Sequence, residues 1–161
     1  MEDTGHVLLA DIGGTNARFA LADTAAPTPL VAGSAREYVV ADFASLPDAA
    51  RAYLDATGAR VHAMVAAVAG DEARITNFPW VISIRRSCEA LGLQRMRLVN
   101  DFTAQSMAVL ALQPDDVSAL GPMQWSGKRG ERGNARTFAI IGPGTGLGVG
   151  GLLIRDGRPY P

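Results

Sequence analysis

A strand, a turn built from glycine and threonine, and a returning strand occur twice in this chain, roughly 130 residues apart, and no other feature limits the possible folds so much. In the first copy Val7-Leu8-Leu9-Ala10 enters Asp11-Ile12-Gly13-Gly14-Thr15-Asn16, and Arg18-Phe19-Ala20-Leu21-Ala22 leaves it. In the second, Thr137 to Ile141 enters Gly142-Pro143-Gly144-Thr145-Gly146, and Leu147 to Ile154 leaves it, ending at Asp156-Gly157. Both read as hairpins. A repeated hairpin at this distance implies two related domains, with only the start of the second inside these 161 residues.

The segment between the hairpins alternates in type. Arg36 to Val40 predicts a third antiparallel strand after the Pro- and Ala-rich bend at Ala25 to Pro29. Ser45 with Asp48 three residues on is a capping pair, and Leu46, Ala49, Ala50, Tyr53 and Leu54 share one helical face that stops at Gly58. Val61 to Ala69 is almost wholly apolar, as a strand covered on both faces would be. Ile84, Cys88 and Leu91 have helical spacing within Ser83 to Leu91, Met96 to Val99 is a fifth strand, and Phe102 to Leu112 is a helix bound to end before Pro114. The order is an α/β domain with a mixed five-stranded sheet and helical crossovers over residues 1–112. Residues 113–136, rich in Gly, Pro and charge, read as a connecting segment, and 137–161 as the beginning of the second domain.

Composition narrows the function. Hydrophobic residues make up 48% and charged residues 19%, enough for a packed core. A formal net charge of -1 gives no field for nucleic acid or an anionic membrane, so neither is an expected partner. Cys88 is the sole cysteine, His6 and His62 have no ligand spacing around them, and the acidic start is unlike a secretory signal. Together these features predict a cytoplasmic protein.

A phosphate needs backbone N–H groups that converge on it with no side chains in the way, which Gly13-Gly14-Thr15 offers. Asp11 adds a carboxylate able to hold a magnesium ion, directly or through water. The competing account is an ordinary hairpin whose residues were selected for backbone conformation. A Walker A loop is excluded, because Lys128, the lone lysine, is followed by Arg129. Gly146 to Gly151 spells the dinucleotide fingerprint but continues as a strand where a helix is required. Asn100-Asp101 lies where a strand meets a helix, at the sheet edge where α/β folds bind ligands, and Asp101 there is also a good helix cap.

Four segments together resemble successive motifs of bacterial glucokinases: Leu9 to Arg18, Thr76-Asn77-Phe78-Pro79-Trp80, Asn100 to Ala108, and Gly142 to Gly148. The resemblance covers essentially the whole chain. It implies the fold of the sugar kinase, actin and heat-shock ATPase superfamily, in which two ribonuclease-H-like domains close on a nucleotide. It further implies ATP-dependent phosphorylation of glucose at its 6-hydroxyl, with ATP and Mg2+ as cofactors. In that scheme Asp101 is the base, and Asn100 and Asp101 hydrogen-bond the sugar with Thr76 and Asn77 in support. Ala10, Asp11, Ile12, Gly13, Gly14 and Thr15 line the phosphates, and Gly144 and Thr145 form the second phosphate turn. The family continues beyond this length into a Glu-x-Gly-His segment that contacts the sugar, so 161 residues alone are expected to turn over negligibly. An exposed half-domain would also make self-association as a homodimer easy. A non-catalytic sugar-sensing member of the superfamily and a kinase for another hexose are the competing functions.

Overall fold

The computed structural model describes residues 5–68, 80–122, 135–143 and 147–161, and divides into two compact units, Met1–Asp101 and Phe102–Pro161.

The first unit is one mixed sheet with helices. In chain order it comprises β1 (His6–Ile12), β2 (Asn16–Asp23), β3 (Arg36–Val39), α1 (Leu46–Thr57), β4 (Ala63–Val68), α2 (Ile84–Leu91) and β5 (Arg95–Asn100). The sheet order is β3-β2-β1-β4-β5. The hairpin and its neighbour pair antiparallel, whereas β4 and β5, reached through helices, run parallel to β1. The mixed five-stranded sheet expected from the sequence is therefore present. β4 is buried along nearly its whole length, as its unbroken apolar run required.

Helix α1 begins where Ser45 accepts a hydrogen bond from the Asp48 amide, 3.3 Å, and ends at Gly58, whose φ of 65° closes the last turn. Its buried face is Leu46, Ala49, Ala50 and Tyr53, with the alanines allowing close approach to the sheet. Phe19 on β2 stacks between Tyr38 and Tyr53, ring centroids 5.8 and 5.6 Å away, and the Tyr53 hydroxyl donates to the Ser34 carbonyl at 2.8 Å. Trp80 is also a packing anchor: it is buried, and its indole N–H donates to the Phe43 carbonyl at 2.9 Å. In α2 Cys88 and Leu91 pack against the core as their spacing suggests, and Ile84 does not. Ile84 is exposed and Ser87 buried, because a side chain on the first helical residue points back past the helix end.

Helix α3 (Asp101–Ala108) begins at the last residue of the first unit, and the second unit holds the rest of it, then β6 (Arg136–Pro143), β7 (Leu147–Arg155) and β8 (Arg158–Tyr160). These three strands form an antiparallel meander in the order β6-β7-β8. The compact units meet after Asp101, and α3 packs against β6 and β7 through Phe102 and Ser106. One expectation is corrected here, since the helix is shorter than expected. Beyond Ala108 the chain tightens into i to i+3 bonds, Leu110 to Met107 at 3.1 Å and Ala111 to Ala108 at 2.9 Å. The second hairpin then continues into β8 through Asp156-Gly157, both with positive φ, where the sequence reading ended the strand.

Among the described residues, no helix is long and apolar enough to cross a membrane.

Candidate active site

The parallel strands bring the candidate residues to one edge. In register, Ile12 at the end of β1 lies beside Val68 at the end of β4, and Val68 lies beside Asn100 at the end of β5. The glycine turn leaves β1 and the Asn100-Asp101 junction leaves β5 at the same carboxyl edge of the sheet. Two strand spacings separate these exits, about 10 Å, a span that a sugar and a phosphoryl group can bridge.

The turn itself is tight. Gly13 donates its amide to the Asn16 carbonyl at 2.9 Å, and the Thr15 carbonyl accepts from the Val40 amide at 2.8 Å. The Gly13 amide is thus used by the turn, leaving Gly14 and Thr15, whose amides find no acceptor among the described residues. Neither Gly13 nor Gly14 has a φ in the left-handed region, so the backbone conformation does not demand glycine at either position. A Cβ at Gly13 would crowd the Asn16 carbonyl at 3.3 Å, whereas one at Gly14 would meet nothing within 4 Å. What Gly14 supplies is open space above a pair of exposed amides. That geometry leaves room for a phosphate over the turn.

Around the turn the expected residues separate into two groups. Ala10 and Ile12 are buried in the core, and their main chain is laddered to β2 and β4, so their side chains cannot line a phosphate. Asp11, Gly13, Gly14 and Thr15 are exposed. Opposite Asp11 in the β1–β2 register is Arg18, whose guanidinium bonds the Asp11 carboxylate at 3.3 Å and that of Glu37 at 2.6 Å. These bonds, the one to Glu37 foremost, hold the guanidinium further into its charged range than usual. The sequence reading gave Arg18 no role, although a turn over residues 13–15 already implies that Asp11 and Arg18 face one another.

Asn100 and Asp101 are half-buried at the β5–α3 junction. Asp101 is the first residue of α3, in the helix turn where a carboxylate is favoured by the peptide dipoles. Thr76, Asn77, Gly144 and Thr145 lie outside the described residues. Among the described residues, no group of three or more His, Cys, Asp or Glu side chains gathers as a metal site. A single exposed carboxylate, here Asp11 paired with Arg18, is in keeping with magnesium, which keeps most of its waters and is held largely by phosphates.

A model of the glucokinase family matches residues 8–161. The chain belongs to the glucokinase family. The glucokinase of Stenotrophomonas maltophilia (strain K279a) is 57% identical over 159 residues, which are 96% of this chain and 47% of the relative. The chain therefore spans about half the length of the curated relatives it matches. Among solved structures, the glucokinase from an Antarctic psychrotroph aligns with a TM-score of 0.76 at 30% identity, over 97% of this chain and 48% of that one. A ROK family glucokinase from Streptomyces griseus, solved in complex with glucose and AMPPNP, shares the fold at a TM-score of 0.58 and 19% identity, over 97% of this chain and 46% of that one. The architecture is accordingly the α/β sugar kinase fold of the actin-like ATPase superfamily, represented here by about half of a family member.

Proposed function

We propose that this chain is the first half of a glucokinase, carrying the phosphate turn and the base that transfer the terminal phosphoryl group of ATP to the 6-hydroxyl of glucose. The observation that carries the reading is the shared edge, where the Gly13-Gly14-Thr15 turn and Asn100-Asp101 emerge from strands in register. Substrate and donor follow from membership of the glucokinase family and from the 57% identity to a glucokinase.

Each residue has a physical task. The Gly14 and Thr15 amides hold phosphate oxygens, and Asn100 and Asp101 hold sugar hydroxyls. Asp101 takes the proton from the 6-hydroxyl as its oxygen attacks the γ-phosphorus, while the bond from that phosphorus to the β–γ bridging oxygen breaks and ADP departs. The transition state is loose, so the hydroxyl needs little deprotonation early, and an aspartate held in line is basic enough. Asp11 would hold magnesium, which when bound spreads the charge of the phosphates. Arg18 keeps the Asp11 carboxylate at the lip of the turn. The roles assigned to Thr76 and Asn77 toward the sugar, and to Gly144 and Thr145 toward the phosphates, rest on the resemblance of their motifs to those of the family. The lone Cys88, packed against the core, agrees with residence in a reducing cytoplasm.

The test uses a two-domain enzyme, this chain continued by the second half of its Stenotrophomonas relative. With ATP and magnesium it should form glucose 6-phosphate, and a panel of hexoses should leave glucose preferred. Glucose binding without product would favour a sugar-sensing protein, and preference for a different hexose would reassign the acceptor.

A further inference from the structure

We propose that Phe102 is a positioning residue for the preceding Asp101, acting through a seat of three glycines on β6 and β7. The proposal rests on the reading of Asp101 as the base.

Strand register builds the seat. Gly142 and Gly148 pair directly across the hairpin, and Gly150, two residues further along β7, lies on the same face. A Cβ on Gly148 would lie 1.8 Å from Phe102 Cε2 and 1.9 Å from its Cζ. One on Gly142 would lie 2.8 Å from Cζ, and one on Gly150 would lie 2.6 Å from Ser106 Oγ and 3.1 Å from the Phe102 carbonyl oxygen. None of the three has a φ in the left-handed region, so the property they contribute is the missing side chain. The ring rests on bare backbone. Ser106 completes the lock: it is 1% exposed, and its hydroxyl donates to the Phe102 carbonyl at 2.7 Å. Gly151, on the opposite face of β7, serves as an internal contrast, since its Cβ would meet only the Phe138 carbonyl at an ordinary 3.7 Å.

A Cβ on Gly148 must displace the Phe102 ring from its seat, and one on Gly150 would press on the Phe102 carbonyl itself, so the contacts that fix the first turn of α3 change. Asp101 opens that turn. A base that must lie in line with a hydroxyl tolerates little displacement, and about 1 Å of misplacement is worth about 100-fold in rate. The seat is therefore assigned to holding a carboxylate in register, beyond filling a core.

In the two-domain enzyme, Gly148→Ala should lower kcat about 30-fold or more and Phe102→Leu about 10-fold, with KM for glucose within about 3-fold in both. Combining them should restore kcat towards the Phe102→Leu value, because the smaller side chain relieves the clash. Gly151→Ala should stay within about 2-fold of the parent. The proposal is overturned if folded Gly148→Ala keeps kcat within 2-fold, if the double variant loses the product of the single losses, or if only KM moves. Should Gly148→Ala fail to fold, Phe102→Leu decides, since it removes atoms and clashes with nothing; an unchanged kcat refutes positioning. Asp101→Asn separates the two layers. Full activity there sinks the base assignment itself, whereas an inactive Asp101→Asn beside a fully active Phe102→Leu sinks only the role of the ring.

Discussion

Replacing Gly14 by alanine should improve the fold and cripple the enzyme, and the two effects can be measured apart. The added methyl meets no protein atom within 4 Å, and the backbone at Gly14 is outside the left-handed region. Such a glycine-to-alanine change removes freedom from the unfolded chain and is worth about 0.4–1 kcal/mol of stability. For a protein of this size that raises the unfolding temperature by about 1–4 °C. The same methyl occupies the space into which a phosphate must descend to reach the Gly14 and Thr15 amides. A displacement of about 1 Å there costs about 100-fold in kcat/KM for ATP, equivalent to about 2.7 kcal/mol of transition-state binding. Glucose 6-phosphate formation coupled to NADPH production, titrated with ATP, gives the kinetic half, and thermal unfolding gives the other. Gly13→Ala provides the comparison, because its Cβ presses on the Asn16 carbonyl at 3.3 Å and should lower stability as well as activity. A folded Gly14→Ala enzyme with unaltered kcat and KM for ATP would refute the reasoning and return the turn to the status of an ordinary hairpin.

Asp101→Ala should reduce kcat by about 100-fold to 10,000-fold, the usual worth of a positioned base, with little change in unfolding temperature; full activity would remove the assignment. Ser45→Ala takes away the cap on α1 and should cost about 1 kcal/mol in denaturant unfolding, with an unchanged midpoint contradicting the cap. Tyr53 gives a pH signature. Its burial holds the phenol above the ordinary tyrosine value, so its contribution is complete below pH about 10 and fades as pH climbs through the raised value. Tyr53→Phe should therefore cost about 1 kcal/mol at neutral pH and flatten the alkaline loss of stability, which pH-dependent unfolding would reveal.

The sequence carried the fold wherever a local rule and the tertiary requirement agreed. Ser45, Asp48 and Gly58 marked the ends of α1, and the unbroken apolar run of β4 announced a strand covered on both faces. It misled where a residue's surroundings were decided at a distance. Ile84 has the spacing of a core residue but sits at the first position of α2 and points to solvent. β8 was legible and overlooked, since Asp156-Gly157 is among the strongest short hairpin signals. The packing of α3 on β6 and β7 was not legible at all. Nothing in the spacing of Phe102 announces that glycines far along the chain make room for its ring.

The glycines of the two meanders divide by the physical service each performs. The first meander, β1-β2-β3, uses Gly14 to leave a void over exposed amides, a vacancy useful only to something that is not protein. The second, β6-β7-β8, uses Gly142, Gly148 and Gly150 to leave a void that protein itself fills, with the ring of Phe102 and the hydroxyl of Ser106. At neither place does backbone conformation require the residue, in contrast to Gly58 at the end of α1. In both hairpins the missing side chains open a surface, and the neighbouring element decides what enters. In the first copy the neighbour is the carboxyl edge where β1, β4 and β5 end together, open to a ligand; in the second it is the helix that Asp101 begins.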